Sequence, residues 1–404
     1  MQYMKQLRWV AFLTLLYFLP ARAQLDFSDS LRISLLTCSA GPDAYERFGH
    51  AGIRILDLKK PQNDVTFHYG VFSFNTPHFV YRFVKGETDY QLGAQYTSDF
   101  VAGYNFRGLG MIEQSLRLDS AQCQEVVHRL LVNYLPENRT YRYSYFFDNC
   151  STRPYHLINA STSNSIRYDS AWVKEITLRQ MVQQKTHLDN WLDFGIALAV
   201  AGRADVPASF EEQLFLPEYL SKAADNALIP TRVGDEDCIL PLVTSTETLL
   251  EMDDEVADEI AAPDTIRPAA LFGILLMLAL ILSALEWRYR QNKAVKVCAD
   301  SFDCLWFLFL GITGLIVWFL NFFSEHPAVD HNINCFWLLP THVIFAVLLW
   351  FKKMRKCCSI YFGITFALVI VYVIFDWMTE QYCPPPFLLI LATILLRSFI
   401  RMRR

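Results

Sequence analysis

PAALFGILLMLALILSAL, residues 268–285, runs eighteen positions without a charge. As a helix rising 1.5 Å per residue it reaches roughly 27 Å, close to the ~30 Å of a bilayer's hydrocarbon layer. Four more apolar stretches follow, at about 304–323, 335–351, 358–377 and 384–400, with 335–351 and 384–400 the shortest. Together they predict an all-α transmembrane domain of five helices over 268–404. Its orientation follows from the cations after Pro268, which are Arg288, Arg290, Lys293, Lys296, Lys352, Lys353, Arg355, Lys356, Arg397, Arg401, Arg403 and Arg404. With five crossings, every one lies in or beside the loop after the first span, the loop after the third, or the C-terminal tail. The two opposite loops hold none. By the positive-inside rule the cationic side is cytoplasmic, so the chain before 268 is exported and the C-terminus stays inside. Arg397 shortens the last span and is expected to snorkel to the inner interface.

Working outward toward the N-terminus, the stretch 241–267 holds Glu247, Glu251, Asp253, Asp254, Glu255, Asp258, Glu259 and Asp264, with no cation before Arg267. It reads as an acidic, solvated helical linker. Residues 24–240 have ordinary soluble composition and form the exported domain. Residues 1–23 place Lys5 and Arg8 before an apolar run, Trp9 to Leu19, and then Pro20 and Ala21-Arg22-Ala23. That is the layout of a signal peptide, since the apolar core is about half of the ~20 residues a span demands.

Across the chain, 36 Lys and Arg against 41 Asp and Glu leave a net charge of -5, and no basic stripe is present, which excludes a nucleic-acid binder. Ten scattered cysteines, none in a CxxC pair, exclude a disulfide scaffold, a zinc ribbon and a thioredoxin-type site, and nothing calls for a metal or a cofactor. Cys38, Cys123 and Cys150 are candidates to pair among themselves, as are Cys335 and Cys383 with each other.

In the exported domain, Leu31–Thr37, the run from Ile53 to Asp57, Val65–Tyr69, Met111–Leu118 and Tyr141–Phe147 read as strands, and a helix capped by Ser120 buries Val126, Val127, Leu130 and Leu131. Strands with inserted helices make the class α+β. Tyr141–Phe147 leads into Asp148-Asn149-Cys150-Ser151-Thr152-Arg153, with Pro154 where a first helical turn accepts it. A thiol at such a strand-to-helix turn lies where unpaired N–H groups and the helix dipole favour the thiolate, so Cys150 is a candidate nucleophile. Its general base is best sought in His50, flanked by Gly49 and Gly52. His68 is a candidate to orient the His50 imidazole, and Glu46 competes for that place. The blander reading makes Cys150 a buried hydrophobe or half of a disulfide and His50 a structural residue.

Several runs carry a resemblance. They are Glu46-Arg47-Phe48-Gly49-His50-Ala51-Gly52-Ile53-Arg54, His68-Tyr69-Gly70-Val71-Phe72-Ser73-Phe74, Phe83-Val84-Lys85-Gly86-Glu87 with Tyr90, and Asp148-Asn149-Cys150-Ser151-Thr152-Arg153. In the membrane half they are Glu325-His326-Pro327, Asn332, Asn334, Trp337 and Pro340. Across nearly the whole mature chain these resemble the Bacteroidetes lipoprotein N-acyltransferase (Lnb) family. The resemblance implies a circularly permuted papain-like periplasmic domain, akin to the NlpC and lecithin retinol acyltransferase group, in which the base precedes the nucleophile as His50 precedes Cys150. It implies a bacterial inner-membrane enzyme that passes a fatty acyl group from a phospholipid, through a Cys150 thioester, to the α-amine of a diacylated lipoprotein. His50 would be the base and His68 a third member, with Tyr69 beside it an alternative polar group. Tyr69, Arg153, Glu325 and His326 are candidate substrate contacts, and the aromatic stretch Phe72–Phe83 is a candidate cover for the acyl chain. A membrane-anchored NlpC-like cysteine peptidase or amidase, and a non-catalytic membrane scaffold, are the rival readings.

Overall fold

Alternation of apolar and polar residues along 31–38 and 50–57 makes the first hairpin, and the same period builds a sheet around it. The computed structural model describes residues 26–379 and 381–403, so the expected signal peptide lies outside the described residues. The chain forms β1 (Leu31–Cys38), β2 (His50–Asp57), β3 (Asp64–Val71), α1 (Phe79–Lys85), β4 (Asp89–Tyr96), α2 (Thr97–Phe106) and β5 (Met111–Leu116). It continues through α3 (Ser120–Tyr134), β6 (Thr140–Arg142), α4 (Thr152–Ser161), β7 (Arg167–Tyr168), α5 (Leu178–Thr186), α6 (Trp191–Ala199) and α7 (Pro217–Asp225). Next come β8 (Ala227–Val233), β9 (Glu236–Pro241), β10 (Val243–Leu250) and α8 (Asp254–Ala261). The apolar half holds α9 (Pro268–Arg288), α10 (Lys293–Phe323), α11 (His342–Leu348), α12 (Arg355–Met378) and α13 (Pro385–Met402). Two compact units result.

The first unit comprises the described residues up to Pro77, Thr88–Lys174 and Ser209–Ala262. Its seven-stranded antiparallel sheet has the order β10-β5-β1-β2-β3-β4-β6, beside a small sheet β7-β8-β9. One face buries Ile33, Leu35, Ile53, Ile55 and Phe67 under Val126, Val127 and Leu130 of α3 and Leu220 of α7. The other carries Leu36 and Cys38 under Phe100 of α2. The cap of α3 is Asp119, one residue before the expected Ser120, because it closes a capping box with Gln122. Past Arg142 the expected strand to Phe147 gives way to a turn bridged between Ser144 and Asp148.

The acidic stretch is corrected by the structure. Residues 243–250 are no linker: β10 pairs with β5 as the edge of the main sheet, Thr246 opposite Gln114 and Glu247 opposite Glu113. Three threonines favour the pleat, and charge on an edge strand is a usual guard against further pairing. Only from Asp254 to Ala261 is the segment helical.

The second unit contains His78–Glu87, Glu175–Ala208 and Pro263–Arg404. Among the described residues four helices are long and apolar enough to cross a membrane: Pro268–Arg288, Lys293–Phe323, Lys352–Met378 and Pro385–Met402. The expected third span, 335–351, is not a regular helix. It is a 3-10 turn, Ile333–Phe336, followed by α11, whose seven residues rise only about 10 Å. Pro340 removes a donor and restrains the residue before it. Side chains inside the protein hold the irregular stretch, and one of them serves the Trp337 carbonyl, as apolar surroundings require. Asn334 Oδ1 accepts from Trp337 Nε1 at 3.1 Å, His342 Nε2 lies 3.2 Å from the Trp337 carbonyl, and Tyr361 Oη bonds His342 Nδ1 at 2.7 Å. Gly314 and Gly311 of α10 let it pass, because a Cβ on either would stand 2.5 Å from the Leu338 carbonyl oxygen or 2.6 Å from the Val343 nitrogen. Its Ile333 end bonds Gln381, between α12 and α13, whereas the start of α12 bonds the end of α13 through Ser359 Oγ and the Met402 carbonyl. The broken segment therefore runs from one end of the helix group to the other.

Arg397 also departs from expectation. Its side chain is 0% exposed and does not snorkel. It donates to Asp303 at 2.6 and 2.9 Å, to Glu286 at 3.0 Å and to Ser283 at 2.8 Å, while Arg401 bonds Asp303 and reaches Asp300 at 2.5 Å. Three helices, α9, α10 and α13, are thus pinned by one buried charge network. Burial inside the group is available because acids on α9 and α10 meet the guanidinium there.

Candidate active site

His50 opens β2, directly after Gly49, whose φ of 76° and lack of a Cβ are both required: a Cβ would stand 2.7 Å from the Cys38 carbonyl oxygen. His68 of β3 faces Gly52 of β2 on one side and Gly93 of β4 on the other. Because side chains repeat every two residues along a strand, His50 and Gly52 share a face, and the glycine leaves room for His68 to reach the other imidazole. The result is a contact of 3.1 Å between His50 Nε2 and His68 Nδ1. A Cβ at Gly93 would lie 3.2 Å from His68 Nε2, so that ring is flanked by glycines on both neighbouring strands. Phe100 packs on both imidazoles, and both keep a partly exposed edge.

Cys150 is placed by the residues around it. Buried Asn149 accepts the Ser151 and Thr152 N–H groups at 2.8 and 2.9 Å through Oδ1, and donates to the Tyr145 and Phe215 carbonyls. Its side chain therefore caps α4, and the turn is locked further by a bidentate Arg153–Asp148 pair at 2.6 and 2.7 Å. Between these two devices the Cys150 thiol is buried and lies against the Ala51 backbone N–H, the residue after His50. Cys150 also abuts Gly70, where a Cβ would come within 3.8 Å of its own. The structure thus brings His50 and His68 together and sets Cys150 beside the N–H of Ala51, the residue after His50, in the core cluster that also holds Tyr69; Nδ1 is the His50 nitrogen not taken up by His68.

The electrostatics correct one expectation. The helix-start N–H groups that were to favour a thiolate are spent on Asn149, and burial wins, pushing the thiol up to about 11. Burial, and next the neighbouring His68, push the His50 imidazole down to about 3. Burial likewise lowers His68 to about 4. A thiol is protonated below its own pKa and an imidazole neutral above its own, so the resting pair is neutral between these values. Alkylation of Cys150 by iodoacetamide in the full-length protein should accordingly be slow at neutral pH and accelerate toward pH ~11. A rate already at its plateau near pH 5 would show a resting thiolate instead.

The other sequence candidates take different places. Glu46, the rival to His68, forms an ion pair with Arg107. Tyr69 points into the core and donates to Asn133 Oδ1 at 2.9 Å, on the opposite face of β3 from His68. Arg153 lies 3.5 Å over the Tyr141 ring besides holding Asp148. Glu325 and His326 grip chain segment 83–85 of the second unit, with Glu325 N donating to the Lys85 carbonyl and His326 Nε2 to that of Phe83, each at 2.7 Å. All ten cysteines are free thiols, against the expected pairings. Cys38 and Cys123 belong to the cores on opposite faces of the sheet. Cys335 and Cys383 pack as separate thiols. No cluster of metal-ligating side chains occurs among the described residues.

Gln95 was not singled out from the sequence. Its amide lies 3.4 Å from His68 Nε2. If His50 Nδ1 is to accept a proton, Nε2 must carry one and donate it to His68 Nδ1, which leaves a proton on His68 Nε2. The Gln95 amide then presents its oxygen to that ring. Only the diagonal register of β3 and β4 marks this residue.

Two protein-family models match the chain: the Lnb N-terminal periplasmic domain over residues 20–184, and the Lnb transmembrane domain over residues 260–404. No curated protein and no solved structure matches it.

Proposed function

Because the chain belongs to the Lnb family and carries both of its domains, we propose that it is a lipoprotein N-acyltransferase acting at the outer face of a bacterial inner membrane. What supports the reading is the match of both Lnb domain models to a chain that also holds long apolar helices, together with the His50–His68 contact and the placing of Cys150 against the residue that follows His50. In this account the sheet is a permuted papain-like fold, with the base on a strand ahead of the nucleophile. The broken segment 335–351 serves as a crossing, so that five passes keep the cationic loops inside.

The mechanism divides the transfer into two steps. Cys150 Sγ attacks the ester carbonyl of a phospholipid while its proton passes to His50 Nδ1. The C–O bond then breaks, the leaving alkoxide takes the proton from His50, and a lysophospholipid departs from an acyl thioester. The α-amine of a diacylglyceryl-cysteine lipoprotein attacks the thioester, its excess proton passes by way of His50 to the departing sulfur, and amide and free thiol result. His68 holds the imidazole in the required tautomer. With Ser151 and Thr152 occupied by Asn149, the two N–H groups beside the sulfur, those of Ala51 and of Cys150 itself, are assigned to the oxyanion, a contribution of about 3 kcal/mol per donor in comparable sites. An aromatic series, Tyr143–Tyr90–Phe72–Phe74, is assigned to the acyl chain. Its successive centroids are 4.8, 4.8 and 5.0 Å apart, and it starts beside Gly70 and ends at exposed Phe74.

Mass spectrometry of lipoprotein N-termini from cells lacking this protein tests the reading. Loss of the third acyl chain, restored by the parent gene and not by Cys150→Ser, is the expected result. Unchanged acylation contradicts it, and altered muropeptides with unchanged acylation would favour an amidase.

A further inference from the structure

Helix α1 (Phe79–Lys85) has no buried residue, although its sequence, FVYRFVK, is mostly apolar. Val80, Tyr81 and Phe83 are 74%, 56% and 48% exposed. Seven residues do not hold a helix in water unaided, and what supports this one is the segment just after α10. Its last carbonyls, orphaned as in any helix end, are each taken: that of Val84 by Ser324 Oγ at 2.8 Å, that of Lys85 by the Glu325 N–H and that of Phe83 by His326 Nε2, both at 2.7 Å. Gly86, at φ 85°, permits the approach, since a Cβ there would stand 2.7 Å from the His326 nitrogen. The Tyr81 ring lies 6.2 Å from Phe319 of α10, which stacks on Phe323 at 5.8 Å.

The exposed side of α1 therefore continues the exposed apolar flank of α10, on which Leu315, Ile316, Phe322 and Phe323 stand open. This is the end of α10 away from the cationic loops, and aromatic side chains are the usual residues of the membrane–water boundary. Capped carbonyls suit an apolar setting, and Arg82 and Lys85, close to Glu87, supply charge for the headgroup level. We propose that α1 is an interfacial helix seated in the outer leaflet, with Val80, Tyr81 and Phe83 among phospholipid chains. The strand bearing His68 runs on through Phe72–Pro77 into this helix, so the β3–β4 connection would be the chain's own lipid-contacting arm. The proposal stands independently of the chemistry at Cys150.

The test uses the full-length protein with p-benzoylphenylalanine in place of Val80, reconstituted in phosphatidylethanolamine–phosphatidylglycerol vesicles and irradiated. The same photo-residue at Leu58, exposed on the first unit, is the comparison. A phospholipid adduct at position 80 and none at 58 is expected, and Gly86→Val, which forces α1 off the loop, should reduce the adduct at 80 at least several-fold. Cross-linking at 80 to protein alone, no adduct there, equal lipid adducts at both positions, or an adduct that Gly86→Val leaves unchanged would each overturn the proposal.

Discussion

Cys150→Ser and His50→Ala should each lower acyl transfer by about 10⁴-fold or more while leaving thermal unfolding of the protein in detergent close to that of the parent. The serine variant retains shape and loses sulfur nucleophilicity, and the alanine variant removes the group that must accept the thiol proton from a neutral resting pair. Because burial holds that pair neutral, there is no standing thiolate to rescue turnover when His50 is gone. His68→Ala should cost less, about 10²-fold, since it loosens orientation without removing a proton acceptor from the sulfur. Turnover by His50→Ala within tenfold of the parent would remove that residue from the mechanism.

The second large effect concerns stability. Asp303→Asn should destabilise the second unit by about 3–5 kcal/mol, because it leaves Arg397 and Arg401 facing each other without the carboxylate both of them share. Replacing Arg397, Arg401, Asp300, Asp303 and Glu286 together by apolar residues of similar volume should cost much less, since no charge of the network is then stranded. Thermal melts in detergent separate these outcomes. An Asp303→Asn protein as stable as the parent would show that the network does not hold α9, α10 and α13 together.

What the sequence made legible, and what it hid, divides along physical lines. The strand entry at His50 was readable because glycines flank it, and the turn into a helix at Cys150 because Asp148-Asn149 announces it. Both signals are local. The role of Asn149 as the cap that consumes the helix-start donors was not, since a side chain's hydrogen-bond choice is settled only once Phe215 and Tyr145 have come alongside. The apolar windows of α9, α10, α12 and α13 stood out by length alone. The 335–351 segment has the same hydropathy and a different backbone, and the available clue was Pro340 together with Asn332 and Asn334 just upstream. Arg397 read as a snorkelling residue because its partners, Glu286 and Asp303, lie more than ninety positions away. That α1 and α6 belong to the second unit was equally invisible: seven and nine residues are far too short to announce a membrane domain, and only packing reveals it, with Phe194 of α6 against Phe272 and Phe387.

The most direct measurement is to incubate the purified full-length protein with a phospholipid carrying a labelled acyl chain and no acceptor, quench in acid, and map the label by peptide mass spectrometry. The account predicts one acyl group on the peptide containing Cys150, released by neutral hydroxylamine and absent from Cys150→Ser under the same treatment. Label on any other residue, or full transfer to an acceptor with no acyl group ever found on Cys150, would contradict it.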